Sequence, residues 1–265
     1  SDQVLSNAAI TGSTATAKTG YKFDGWYKED TKISDAATLP ASVAKANRNK
    51  DGDIYANTTY TAHFSVDPAQ TYTVTYSAQT GGSVDPANQS DQVLSNAAIT
   101  GSTATAKKGY KFDGWYKGDN LISADEALSD EIAKAQLNTG ADNTYADTTY
   151  TAKFVKDDEQ TYNVSYAAEE GGSVDPTANE NIHVLSTEGV TGSTATAAPG
   201  YKFDGWYKGS TKITGNATLS EGDAKDNLNT GEDDTYANTT YTAHFSADPA
   251  QTYTVTYSAQ TGGSV

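Results

Sequence analysis

The sequence predicts an α+β protein, mostly β, made of tandem repeats of about 90 residues. Each repeat is expected to hold several strands and one short helix. Three observations carry this expectation. The block Gly20–Lys28 (GYKFDGWYK) recurs unchanged at 109–117 and 200–208, with spacings of 109−20 = 89 and 200−109 = 91. Two further blocks in each repeat alternate apolar and polar residues with the period of a half-buried strand. One stretch per repeat has the spacing of a helix. A period near 90 exceeds the ~20–50 residues of a solenoid unit and suits a small domain.

The elements of one unit follow in order. Tyr72, Val74 and Tyr76 alternate with Thr73 and Thr75, giving an opening strand, and Gly81-Gly82 supplies a turn. Residues 97–106 are small and β-branched and read as one or two strands. The GYKFDGWYK block is extended. Phe23 and Trp26 lie three apart, so both reach one face only through a turn or bulge at Asp24-Gly25. Ala124, Leu128, Ile132 and Ala135 share a helical face, and Ser123 with Glu126 reads as a capping box. Ser220 with Asp223 repeats that spacing, and Pro40 suits a first helical turn. Asn138-Thr139-Gly140 and its counterpart at 229–231 end the helix. Tyr60, Ala62 and Phe64 alternate with Thr59, Thr61 and His63 in a closing strand, as do the residues of 148–154 and 239–245.

This divides the chain into 1–66, the later part of a unit; 71–156 and 161–247, two complete units; and 252–265, the opening strand hairpin of a further unit. Short polar junctions separate them and limit swing between neighbours. Ser1 aligns with Ser90 and Val265 with Val84, so both ends fall inside a unit. One expectation is that residues 252–265 of one molecule complete residues 1–66 of another, head to tail. The other is that a longer array is cut at these points.

Composition narrows the function. The chain has 18 Lys+Arg against 34 Asp+Glu and a net charge of −16. A nucleic-acid partner needs a basic surface, so none is expected. Cys and Met are both absent, which excludes disulfides and thiol catalysis and suits an oxidising extracellular setting. No apolar run reaches the ~20 residues of a membrane span.

The Tyr-x-Val-x-Tyr strand, Gly-Gly-Ser-Val, Gly-Tyr-Lys-Phe-Asp-Gly-Trp-Tyr and closing Tyr-Thr-Ala-x-Phe together resemble the internalin B-type B repeat, in its divergent Listeria–Bacteroides branch. The resemblance covers the whole chain. It implies a β-grasp-like fold, with strands wrapped about a helix, and tandem arrays in bacterial surface proteins between an adhesive tip and a wall anchor. The units here are longer than the typical repeat, through the helical insert. The aromatic core signature is expected at Phe23, Trp26, Tyr60 and Phe64; at Phe112, Trp115, Tyr150 and Phe154; and at Phe203, Trp206, Tyr241 and Phe245.

Candidate chemistry is sparse. His63 and His244 sit at matching outward strand positions, Lys153 replaces them in the middle repeat, and His183 has no counterpart. No nucleophile–base pair or metal set recurs, so an enzyme is not expected. No cofactor is implied. Calcium is the one ion whose ligand pattern is suggested, by the oxygens of residues 49–53, 138–143 and 229–234, which lack the EF-hand spacing. An internal Lys–Asn isopeptide bond, a device of some surface domains, has its residue types at Lys22, Asp24 and Asn57; at Lys111, Asp113 and Asp147; and at Lys202, Asp204 and Asn238. The expected role is a structural stalk or spacer of an adhesin-like bacterial surface protein, outside the cell or in its wall. Its partners would be neighbouring repeats and its own copies. The alternative is multivalent adhesive repeats that bind a host glycan or protein.

Overall fold

The computed structural model describes residues 10–52 and 54–265. They divide into two compact units, one of residues up to 105 with 112–154, the other of 106–111 with 155–265. Among the described residues the chain is mostly β, with three short α-helices.

The third repeat, in the second unit, shows the architecture in full. A five-stranded sheet has the order Ala178–His183, Thr161–Ala168, Thr239–Ala247, Tyr201–Lys208, Thr211–Thr214. Its first and last long strands, Thr161–Ala168 and Thr239–Ala247, are neighbours and parallel, with Val164 opposite Thr239 and Tyr166 opposite Tyr241. Every other pairing in that sheet is antiparallel. A second sheet joins Gly172–Asp175, Ser193–Ala197 and Thr218–Leu219.

The core forms where the two parallel strands turn their alternating apolar residues the same way. Tyr162, Val164, Tyr166, Tyr241 and Ala243 are all buried with Trp206. Tyr166 meets Trp206 edge-on at 6.2 Å and stacks on Tyr241 at 6.1 Å. The Trp206 indole N–H is not left unpaired in this apolar setting: it donates to the Ala217 carbonyl at 2.9 Å. The Tyr241 hydroxyl donates to the Ala224 carbonyl at 2.6 Å, tying the helix Glu221–Asp226 to the closing strand.

The bulge expected beside Phe23 is present. The register between Tyr21–Lys28 and Thr61–Val66 shifts between Phe23 and Gly25, and the same shift occurs between Phe203 and Gly205. The extra residue turns Phe and Trp to one side, where they meet edge-on at 6.3 Å in both repeats.

The helices are six residues long and begin later than expected in the middle repeat. Ser129, not Ser123, caps Asp130–Ala135, accepting from the Ile132 N–H at 3.3 Å. Ser123 instead ends the strand Asn120–Ser123 opposite Trp115, and Leu128 belongs to a strand residue pair with Ser102. The apolar spacing of 124, 128, 132 and 135 therefore came from different elements. Ser220 caps its helix as expected, while Pro40 stands at the N-cap and not in the first turn.

The first unit holds the middle repeat with the same sheet order, Asn88–Val93, Thr71–Ala78, Thr148–Lys156, Tyr110–Lys117, Asn120–Ser123. It also holds residues 21–66, whose sheet among the described residues joins Thr31–Ser34, Tyr21–Lys28 and Thr61–Val66. Phe64 is 40% exposed there, whereas its counterpart Phe154 is 8% exposed. The expectation that Phe64 is a core residue is thus corrected: its ring meets Phe23 edge-on yet stays 40% exposed. Residues 252–260 repeat the sequence of 71–79 but form no strand, because no described residue supplies their neighbour. Their hairpin turn survives as Gly263 N–H donating to the Gln260 carbonyl at 3.1 Å.

A glycine closes the core at the end of each complete repeat. A Cβ on Gly82 would lie 2.1 Å from the Phe154 ring, and one on Gly172 would lie 2.2 Å from the Phe245 ring. Gly82→Ala and Gly172→Ala are therefore predicted to destabilise their repeats by about 1–3 kcal/mol through overpacking. Gly215→Ala, with nothing nearer than 3.9 Å, is the control and should leave the thermal melting curve unchanged. Equal melting for all three variants would contradict the packing described.

Candidate functional site: the joint between repeats

The most elaborate polar geometry in the chain lies at the junctions, and it recurs. Each closing strand runs into a four-residue turn, Asp67–Gln70, Asp157–Gln160 or Asp248–Gln251. In the first, Asp67 N–H donates to the Gly20 carbonyl at 2.9 Å and Gly20 N–H donates to Gln70 Oε1 at 2.9 Å. Gln70 Nε2 returns to Asp67 Oδ2 at 2.8 Å. The second joint repeats this with Asp157, Gly109 and Gln160 at 3.0, 2.8 and 2.9 Å. The third repeats it with Asp248, Gly200 and Gln251 at 2.8, 2.7 and 3.1 Å.

The next repeat then grips the same turn. Leu94 N–H donates to the Gln70 carbonyl at 3.1 Å, and Tyr145 N–H donates to the Leu94 carbonyl at 2.7 Å. Asp142, on the loop before Tyr145, accepts from the Thr19 N–H at 2.8 Å. At the second joint Val184, Tyr236 and Asp233 play these parts, Asp233 accepting from Lys108 N–H at 3.0 Å. One glutamine side chain thus holds its own repeat while its backbone holds the following one.

Local backbone chemistry explains the residue types. Asp142 and Asp233 have φ of 55° and 54°, the left-handed region that Asp tolerates better than most residues. Gly20 and Gly109, at φ 81° and 84°, need that conformation and also the space. A Cβ on Gly109 would lie 2.7 Å from Leu185 Cγ. Pro199 stands where Thr19 and Lys108 stand and has no N–H to give, so the third turn lacks this donor.

The carboxylates are set for the ionised form. The Thr19 N–H holds Asp142 below the usual aspartate range, and the glutamine amides do the same for Asp67 and Asp157. The Ala250 N–H is the main cause for Asp248.

Across the chain, the sequence profile of the Listeria-Bacteroides repeat domain matches residues 1–62, 72–153 and 162–229. The chain belongs to the Listeria-Bacteroides repeat family. This is a repeat of bacterial surface proteins and not a known enzyme family. No curated protein and no solved structure matches the chain.

In each of these Listeria-Bacteroides repeats the two phenylalanine rings of the expected signature meet edge-on. Phe23 meets Phe64 at 5.7 Å, Phe112 meets Phe154 at 5.8 Å and Phe203 meets Phe245 at 5.7 Å. Trp26, Trp115 and Trp206 are buried, as are Tyr150 and Tyr241, while Tyr60 is half-buried. The isopeptide candidates are not brought together. Lys22 lies opposite Ser65, inside the strand Thr61–Val66, while Asn57 lies eight residues away, before that strand begins. Asp24 and Asp204 accept from Ser65 and Ser246, and Asp113 accepts from the Tyr116 hydroxyl. Lys111 is 3.9 Å from Asp157, and Lys202 is exposed. Asp147 and Asn238 accept from the Thr73 and Asn163 N–H groups and so serve the parallel strand pair.

The outward strand positions carry stacked rings: His63 on Tyr27 and His244 on Tyr207, both at 4.1 Å, with the Lys153 ammonium 3.9 Å over Tyr116. His183 Nε2 is 3.2 Å from the Asp157 carbonyl oxygen. In the calcium candidates, Asp142 and Asp233 are spent on the joint, and Asp53 lies outside the described residues. Among the described residues no three His, Asp or Glu side chains converge as a metal site, and no helix is long and apolar enough to cross a membrane.

Sequence reasoning read the junctions only as short and polar. The missed signal was Asp-x-x-Gln at all three. Because Asp142 has a lowered pKa, its bond to Thr19 is present above about pH 4 and is lost as pH falls through the lowered value. The Thr19 amide shift in an NMR titration should move with a midpoint below the usual aspartate range. It should not move in Asp142→Ala, and a midpoint at or above that range would contradict the bond.

Proposed function

We propose that the chain is a structural spacer, a run of β-grasp-like repeats forming the stalk of an adhesin-like protein on the outside of a bacterium. The observation that carries this reading is the recurring joint. Repeats free to swing would need only a polar linker, yet the first two junctions are bonded on both sides, to their own repeat through Gly20 or Gly109 and to the next through Leu94 or Val184. A stalk resists bending by such bonds. Negative charge keeps it soluble and away from like-charged surfaces. The parallel first and last strands about a helix support the β-grasp comparison.

Two measurements test the proposal. Antibodies raised against residues 161–247 should label intact cells of the source bacterium as strongly as permeabilised ones; labelling only after permeabilisation would overturn the location. Small-angle scattering should show a more flexible particle for Gln70→Ala/Gln160→Ala than for the unaltered chain, and identical curves would overturn the role of the joint.

A second reading, multivalent binding of a host glycan or protein, is favoured by the outward ledge of Tyr27, Tyr116 and Tyr207, which recurs once per repeat. It predicts glycan-array or host-protein binding that falls by at least tenfold when all three are replaced by Ala, with weaker loss for single replacements.

A further inference from the structure

In each complete repeat the chain enters on the opening strand and leaves on the closing strand, and these two strands run parallel. In the third repeat they are Thr161–Ala168 and Thr239–Ala247. The entry residue Thr161 comes before the first opposed pair, Val164 with Thr239. The exit residue Ala247 comes after the last, Ala168 with Ala243. Entry and exit therefore lie at opposite ends of one hydrogen-bonded ladder. A pull along the chain, applied through residues 160 and 248, drives the two strands lengthwise past each other. Antiparallel neighbours joined by a hairpin would instead be drawn apart from one end, bond by bond.

The surroundings of that ladder make it one mechanical element. Neither strand lies at a sheet edge: Ala178–His183 flanks the opening strand and Tyr201–Lys208 flanks the closing one, so neither can be peeled away alone. Residues 164–168 face residues 239–243 pair by pair, with no register shift. Both ends of the run are fastened. Asn163 N–H donates to Asn238 Oδ1 at 2.8 Å, and Glu169 N–H donates to the Ala243 carbonyl at 3.0 Å. One face is dry, because Val164, Tyr166, Tyr241 and Ala243 are buried and the two tyrosine rings stack at 6.1 Å. A bond shielded from water has no solvent partner to replace it as it opens.

The middle repeat is built the same way. Residues 74–78 face residues 148–152 in the same parallel register, again between two flanking strands. Thr73 N–H donates to Asp147 Oδ1 at 2.7 Å, and Gln79 N–H donates to the Ala152 carbonyl at 2.9 Å. Val74, Tyr76, Tyr150 and Ala152 are buried.

We infer that this parallel pair is a tension clamp. Under a pull along the array, each complete repeat resists by shearing the whole ladder at once. Bonds loaded together share the force, whereas bonds loaded in turn each meet all of it. The rate of opening under force is then set by the direction of the pull and not by equilibrium stability alone. The use of such a clamp, to keep a surface stalk folded under drag, rests on the spacer reading; the clamp itself does not.

The chain has no cysteine, so thiol handles can be placed at will on the full protein. Thr161→Cys with Ala247→Cys, both at exposed positions, pulls the third repeat lengthwise. Ala167→Cys with Thr242→Cys, on directly opposed residues of the same strands, pulls it crosswise. In single-molecule force measurements at one loading rate, each pair should release roughly 25–30 nm of chain, which shows that the repeat was folded before the pull. The lengthwise unfolding force should be about twofold or more above the crosswise force. Equal forces, or a weaker lengthwise one, overturn the inference. Asn238→Ala removes one fastening and should lower the lengthwise force, and Asn238→Asp, the residue type found at Asp147, should restore it. An unchanged lengthwise force in Asn238→Ala would contradict shared loading. The measurement uses the purified chain, so its failure leaves the cell-labelling test of the spacer reading standing.

Discussion

Each complete repeat is closed by one pairing, its first long strand lying parallel to its last. Everything else is arranged about that constraint. Parallel neighbours cannot be joined by a hairpin, so the whole repeat, with both sheets and the helix, is the crossover between them. The pairing also turns Tyr166 and Tyr241 the same way, which creates the slot that Trp206 fills. Where the pairing is absent, in residues 58–66, the aromatic face is open although its residues are the same.

The joint is a second consequence. Only four residues separate the closing strand Thr61–Val66 from the next opening strand Thr71–Ala78. A connection this short fixes where the next repeat starts, and its polar groups must be satisfied within a tight turn. Asp67 and Gln70 do so locally, which leaves the Gln70 carbonyl and the Thr19 N–H for the following repeat. Strand closure and repeat coupling are therefore one piece of geometry.

The sequence made the strands legible where burial is one-sided. The opening and closing strands show period two because one face meets the core, and the Phe-x-x-Trp spacing could only be reconciled by a bulge. The strand Asn88–Val93 was not legible: its residues are polar, it lies at the sheet edge, and its pairing with Thr71–Ala78 is broken by a register shift. The helix start was misplaced because Ser123 and Leu128 mimic a helical face while belonging to strands. The joint was hidden for another reason. Thr19 and Asp142 are 123 residues apart in the chain, and an acceptor chosen by a left-handed loop leaves no local periodicity.

The most direct test of this account measures orientation across one joint. Residual dipolar couplings should be recorded for the backbone amides of residues 21–66 and 71–105, which lie in one compact unit. The account predicts that a single alignment tensor fits both sets, and that Gln70→Ala separates them into two. Two different tensors for the unaltered chain would contradict it, since the bonds of Gln70 and Asp142 would then not hold one repeat to the next.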